Sequence, residues 1–377
     1  MDEKNTSFLL SDYVLDGVKQ AVTPFRILQG VSMFPAEEPA GDFHYADVVD
    51  ETSDAEPDSA QTDSRKVARY LNDVLAAERV FPLDFAKTYT KARIAGALLD
   101  CIWKMGSFRI GDLCLDAVWN WNSTQVGNMA AFYHSVEAAG EMLDSLNLRI
   151  REYTINETDG PCSLSFKADI RPVGEDEDLV EQPFTSRDPR LGVASIPGTL
   201  LPDSASWIVY IPFVSSSYRL GGSLFSQAEG IPFPIAPQLD DDDYFIDCYE
   251  VVRELVQDGI VLSGATVGEG GLISAVKRMA GSGAGAGIDL SDLRRATGED
   301  DVVRLLFSEI PGVLIQIRDI DFDYIDAELL LQDVAFYPIG HPVPGGNGTV
   351  RVHASAKTGI QNILDSLVQR QGGEGED

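Results

Sequence analysis

The sequence predicts an α/β (α+β) protein made of two successive layered halves, and three observations carry that expectation. Apolar residues recur at helical spacing in several windows, and the stretch Ser163 to Ile170 alternates strictly between apolar and polar side chains. A run rich in Pro, Ser, Gly and Asp, Thr185 to Asp203, separates one set of alternating elements from the next. At 377 residues and 44% hydrophobic content the chain can bury real cores, and two domains are the natural starting point.

In chain order, the first feature is an acidic stretch. From Glu37 to Asp63 there are ten acidic residues and no Lys or Arg, among Pro, Ser, Ala and Thr, too polar a mixture to repay the entropy of ordering. This predicts a flexible acidic insertion over 37–63. Val67, Tyr70, Leu71, Val74 and Leu75 then fall on one helical stripe, a second helix is predicted over Thr88 to Lys104, and a third from about Asn128 to Leu146. The strand from Ser163 to Ile170 puts Leu164, Phe166 and Ala168 on one side and Ser163, Ser165 and Lys167 on the other. Trp119 and Trp121, two apart on a predicted strand, share a face that suits a core or an interface with a second copy.

The second half opens with the apolar run WIVYIPF, Trp207 to Phe213. It continues through a helix from Asp243 to Asp258, a short strand GIVLSG, a glycine-rich turn, a helix from about Leu272 to Met279 and a strand ending at Arg318. The glycines from Gly281 to Gly287 read as loop or linker. The divisions expected are an N-terminal segment 1–65, a first domain 66–196, a second domain 197–360, and a helix end with an acidic tail over 361–377.

Charge excludes several functions. With 29 Lys and Arg against 60 Asp and Glu, the formal charge is −31, a field that repels phosphate backbones and anionic lipid heads, so neither nucleic acid nor a membrane surface is an expected partner. No apolar run nears the length of a membrane span and the first residues are acidic, which predicts a cytoplasmic protein. Cys101, Cys114, Cys162 and Cys248 lack CxxC spacing, and the four histidines form no HxxxH pair, so buried thiols and structural histidines are expected. Asp240 to Asp243 lacks the spacing of a calcium loop and reads as a cap on the next helix.

One segment has an arrangement that carries chemistry elsewhere. In GIVLSGATVGEGGLISAVKRM a strand, a glycine-rich turn and a helix follow one another, and backbone N–H groups at such a helix start can cradle a phosphate. Gly268, Gly270 and Gly271 would form that cradle. Against this, there is no GxGxxG, no Lys followed by Ser or Thr, and Glu269 would repel an anion. A tight turn that needs glycine for positive φ or close packing explains the same residues.

LGGSLFSQ (Leu220 to Gln227), the stretch from Asp241 through Ala280 and LFSEIPGVLIQI (Leu306 to Ile317) resemble, in order, landmarks of the synthetase region of phosphoribosylformylglycinamidine synthase. RIAGALLDCIW (Arg93 to Trp103), NWN (Asn120 to Asn122), FYHSVEAAGEMLDSLNL and GPCSLSFK (Gly160 to Lys167) resemble the same family in the same order. The similarity covers about residues 85–356 and corresponds to the second of the two halves of that region. It implies the aminoimidazole ribonucleotide synthetase-like fold: an N-terminal mixed-sheet domain that pairs with a related copy into a barrel, then a C-terminal α/β domain. The family uses ATP and magnesium to activate an amide oxygen before ammonia attacks.

The family's ligand positions are changed. Its turn reads His-Asp-x-Ser-x-Gly-Gly, with a magnesium-binding aspartate, whereas this chain has Ala265 to Gly271. Where the family's helix places a glutamate and then an asparagine, Gly96 and Asp100 stand here, and the lysine and aspartate of its Gly-Lys-Asp-Ser-Leu-Ser strand become Pro161 and Cys162 beside Ser163. With TPFRILQGVSM (Thr23 to Met33) set on the family's early strand, the aspartate position carries Ile27. The expectation is a catalytically silent relative that acts through protein contacts, as a homodimer or beside a synthetase-like partner subunit, with no cofactor. In the alternative, Asp100 and Glu269 rebuild a magnesium pair, Gly268, Gly270, Gly271 and Ser163 meet ATP, and the chain is an ATP-dependent subunit of a split purine-biosynthesis amidotransferase.

Overall fold

The computed structural model describes residues 8–39, 61–105, 108–125, 127–171, 195–215 and 217–353. Most of the acidic insertion and the 361–377 tail lie outside them, as do the four consecutive acidic residues Glu175 to Asp178. After residues 8–10, which are helical, comes a hairpin, β1 (Val14–Leu15) and β2 (Val18–Lys19), turned through Asp16 and Gly17, both at positive φ. Next comes helix α1 (Pro24–Gly30). The strand placed over Thr23 to Met33 is therefore a helix. Thr23 accepts a hydrogen bond from the Arg26 N–H and Pro24 fills the first turn, a start signal that outweighs the β-branched residues nearby.

Next in chain order come helices α2 (Val67–Ala76) and α3 (Ala86–Met105), strand β3 (Leu113–Trp121), helix α4 (Asn128–Ser145) and strands β4 (Ile150–Glu157) and β5 (Ser163–Ile170). The three strands form a mixed sheet in the order β4-β3-β5, with β4 parallel and β5 antiparallel to β3. Its inner face carries Trp119, Trp121, Leu164 and Phe166, all buried, with the tryptophans in the core rather than at an interface. Each tryptophan N–H finds a partner there, Ser135 Oγ at 3.0 Å and the Asn128 carbonyl at 2.7 Å, which lets a polar atom be buried without cost. The outer face is polar: Asn120 donates to Ser163 Oγ, Asn156 donates to Asn120, and Arg151 pairs with Asp116 and Asp169.

The second half contains β6 (Trp207–Pro212), α5 (Leu224–Glu229), α6 (Asp242–Gln257), β7 (Ser263–Val267), α7 (Gly271–Met279) and β8 (Ala284–Asp289). It continues with α8 (Ser291–Thr297), α9 (Val302–Phe307), β9 (Gly312–Ile317), α10 (Phe322–Leu331), β10 (Tyr337–Pro344) and β11 (Val350–His353). These strands make one six-stranded sheet in the order β11-β8-β10-β6-β9-β7. Of the glycine cluster read as loop, residues 281–283 do form a bend, whereas Gly285 and Gly287 belong to the strand β8. A side chain on Gly285 would strike the Thr349 carbonyl, so glycine permits the close approach of the neighbouring chain rather than loosening it. The expected helix cap holds, with the Asp241 carboxylate accepting from the Tyr244 N–H.

Two cores hold the halves together. One joins the inner face of the small sheet and α3 and α4 to one face of the large sheet through Val209, Ile211, Val313 and Ile315; the other fills the opposite face of the large sheet with Ile208, Tyr210, Leu314 and the helix α7. Helix α3 packs on α4 and β5 but also on β7 and α6, and so bridges the halves. Helix α2, assigned by sequence to the first domain, puts Tyr70, Leu71 and Val74 into the second core against α5 and α7. All four cysteines are buried free thiols.

Candidate functional site

A cavity of about 630 Å³ opens between α3 and the β7–α7 turn, with Phe166 of β5 and residues 195–198 closing its sides. Position follows from local folding. Helix α3 is long enough to run past both sheets, and residues one turn apart on it, Arg93, Gly96, Ala97 and Asp100, line one wall. A Cβ on Gly96 would meet nothing within 4 Å, so that wall has open space where a longer side chain would project.

The opposite wall is the turn. Strand β7 runs on through Val267, so Ala265 to Val267, which occupy the first three turn positions of the motif, are strand residues, and Thr266 accepts a hydrogen bond from the Trp103 N–H at 3.0 Å. The turn proper is Gly268 to Gly270. Gly270 and Gly271 have φ of 77° and 73°, and a Cβ on Gly271 would lie 2.5 Å from the Leu306 carbonyl, so both glycines answer a geometric demand of the turn.

The charges at this turn are already matched. Arg79, its side chain only 9% exposed, lies 2.5 Å from Glu309 and 3.3 Å from Glu269 and donates to the Gly222 carbonyl at 2.8 Å. Arg93 also pairs with Glu269, at 3.3 Å. One oxygen of Glu309 accepts from the Gly270 N–H at 2.8 Å and from the Leu224 N–H at 2.9 Å. A carboxylate of this chain therefore takes a backbone donor beside the start of α7. Burial opposes the Arg79 charge, but Glu309 and then Glu269 outweigh it and hold its pKa above the ordinary guanidinium value. Arg278 donates to the Thr266 and Glu269 carbonyls; desolvation lowers its pKa against the pull of Asp100 and Glu269.

The residues singled out from sequence are thus partly brought together. Gly268, Glu269 and Asp100 line the cavity, and Gly270 and Gly271 stand directly behind it at the helix start. Ser163 does not: it lies on the outer face of the small sheet, bonded to Asn120, because the strand alternation that buries Leu164 turns it away. Among the described residues no three His, Cys, Asp or Glu side chains converge as a metal would require. Arg79 and Glu309 were missed. Arg79 sits in an unpatterned connection, and Glu309 lies inside the LFSEIPG landmark without a spacing that marks it as a ligand for a backbone amide.

Residues 213–353 match the family described as AIR synthase related protein, C-terminal domain. Among curated proteins, phosphoribosylformylglycinamidine synthase of Homo sapiens is 23% identical over 168 residues, 44% of this chain and 12% of that protein. A probable phosphoribosylformylglycinamidine synthase, chloroplastic/mitochondrial, of Arabidopsis thaliana is 30% identical over 155 residues, 40% of this chain and 11% of its own length. The solved structure of T. maritima PurL complexed with FGAR superposes with a TM-score of 0.53 at 13% identity, covering 74% of this chain and 42% of that one. The chain is AIR synthase-like and related to phosphoribosylformylglycinamidine synthase. On this AIR synthase-like frame the cavity lies between the α3 segment and the glycine-rich turn, the two segments that correspond by resemblance to the family's ligand positions. Its charged groups are three arginines facing three carboxylates. No helix among the described residues is long and apolar enough to cross a membrane.

Proposed function

We propose that this AIR synthase-like chain is catalytically silent and acts through protein contacts, as a homodimer or beside a synthetase-like partner subunit. The observation that carries the reading is the closed charge network at the turn: Glu309 holds the Gly270 amide, and Arg79 and Arg93 hold Glu269. A magnesium-bridged polyphosphate needs hard oxygen donors converging on the metal and free N–H groups for the phosphate. Here position 96 offers no oxygen, Asp100 is the one carboxylate on the α3 wall, and Glu269 could bind a cation only by leaving two guanidinium groups. The residues present do not fit that group, so no catalytic step is drawn through it.

The strands β4 and β5 give the assembly half of the reading its support. Beyond a single bridge from Ser32 to Ile150, their outer edges pair with no further strand among the described residues, and an open sheet edge is a natural place for a second chain.

One observation favours a second reading. The cavity itself persists, with Asp100 and Glu269 on facing walls, as an ATP- and magnesium-dependent subunit of a split purine-biosynthesis amidotransferase would need. Titration calorimetry with ATP and magnesium separates the two. The silent reading expects no saturable heat up to about millimolar nucleotide. Micromolar, magnesium-dependent binding that vanishes in Asp100→Ala or Glu269→Ala would establish the enzyme reading instead.

A further inference from the structure

Helix α10 is apolar on two faces, and only one is covered. Ile325 and Leu329 are buried in the first core, with Phe322 packed beside them. On the other side Tyr324, Ala327 and Leu331 succeed one another at steps of three and four residues, the spacing that aligns side chains along a helix, and Ile320 precedes them in the 3-10 turn (Asp319–Asp321) that leads into it. Ile320 is 84% exposed and Leu331 82%, and Leu330 beside them is 76% exposed. Single exposed apolar residues are ordinary, but a continuous line of them marks a contact surface.

The border of that line has one sign. Asp323 and Asp326 flank it on one side and Glu328 on the other, and no Lys or Arg occurs from Asp319 to Ala335. The nearest cation in sequence, Arg318, is engaged by Asp321 at 2.6 Å. The end of α6 adds to the field: after desolvation, the charges of Glu328, Asp258 and Glu254 raise the pKa of the Tyr324 hydroxyl. A second copy of this chain would bring the same acids to the same border, and like charges placed opposite one another repel.

We propose that this face docks an amphipathic helix of a partner protein whose apolar stripe is bordered by lysine and arginine. The apolar line supplies the area to be removed from water, and the acidic border sets orientation and speeds encounter. No residue of this face lines the cavity, and its test does not depend on the nucleotide reading.

The test uses the full chain and two synthetic helical peptides of leucine at core-facing spacing, one with lysine and one with glutamate at the flanking positions, followed by fluorescence anisotropy. The lysine peptide should bind saturably, and the glutamate peptide should not. Ile320→Ser with Leu331→Ser leaves the net charge unchanged and should weaken binding about tenfold or more, with an unaltered unfolding midpoint because neither side chain is in the core. Asp323→Lys with Asp326→Lys should weaken it comparably through the border, which keeps the test decisive if the serine variant folds poorly. Equal affinity of the lysine peptide for wild type and serine variant would overturn the proposal by showing mere adherence to a negative chain. Equal binding of the glutamate peptide would also overturn it, as would self-association by sedimentation that the serine variant abolishes.

Discussion

Arg79 reaches Glu309, Glu269 and the Gly222 carbonyl at once, and its guanidinium lies 5.4 Å from the centre of the Tyr89 ring. Only a planar fork of five donors serves partners in these separate directions. Removing it leaves Glu309, 13% exposed, as a poorly compensated charge. Arg79→Met should therefore destabilise the protein by about 3–5 kcal/mol in urea unfolding, with Arg79→Lys recovering only part of the loss. If Arg79→Met were neutral, the network would not be holding the turn. Arg79 and Glu309 were illegible in the sequence for a physical reason: their meeting is set by the packing of the connection after α2 against the segment after α9, 230 positions apart. Glu269 was legible as a residue beside the turn, but its two guanidinium partners were not.

Among the elements, the α3–α4 pair depends on a polar clasp as well as on its core. Lys87 of α3 lies 2.7 Å from Glu137 of α4, His134 stands 3.6 Å from the same carboxylate, and Thr90 donates to Ser135 at 2.8 Å. The neighbouring imidazole of His134, helped by Lys87 and opposed by burial, lowers the Glu137 pKa from 4.5 to about 2. A depressed acid stabilises the fold above its unfolded pKa and loses that contribution as pH falls through the folded value. Wild type should thus exceed Glu137→Gln in stability near neutral pH, and the gap should close between about pH 4.5 and pH 2 in acid unfolding curves. A gap independent of pH would assign the effect to packing alone.

Elements with a single dominant period were readable from sequence. Ser163 to Ile170 forms the strand its alternation predicts, and α3, α4, α6 and α7 lie within two residues of their predicted ends. Failures came where tertiary contact overrode composition. The strand read at GIVLSG begins later, at Ser263, with Ile260 and Val261 in the first core, while a Cβ on Gly264 would lie 2.5 Å from the Trp103 ring. Within the cluster Gly281 to Gly287, Gly285 and Gly287 looked like loop because glycines that serve close chain approach in a buried strand leave no strand pattern in the sequence.

At the scale of the whole molecule, one core runs through both halves and α3 spans them, so the cavity's two walls are fixed by the same packing that fixes the fold. The AIR synthase-like architecture was legible through the order of its apolar landmarks. The state of the site was legible only as substitutions at single positions; the replacement network became visible once the distant parts of the chain were assembled. The formal charge of −31 sharpens the consequence, since a polyphosphate entering this molecule meets an adverse field as well as donors already engaged. Hydrogen–deuterium exchange over residues 265–279, with and without saturating ATP and magnesium, tests this most directly. The account predicts that the Gly270 amide is protected in the apo protein by Glu309 and that nucleotide leaves the segment's exchange unchanged. Added protection on nucleotide addition, lost in Glu269→Ala, would contradict it.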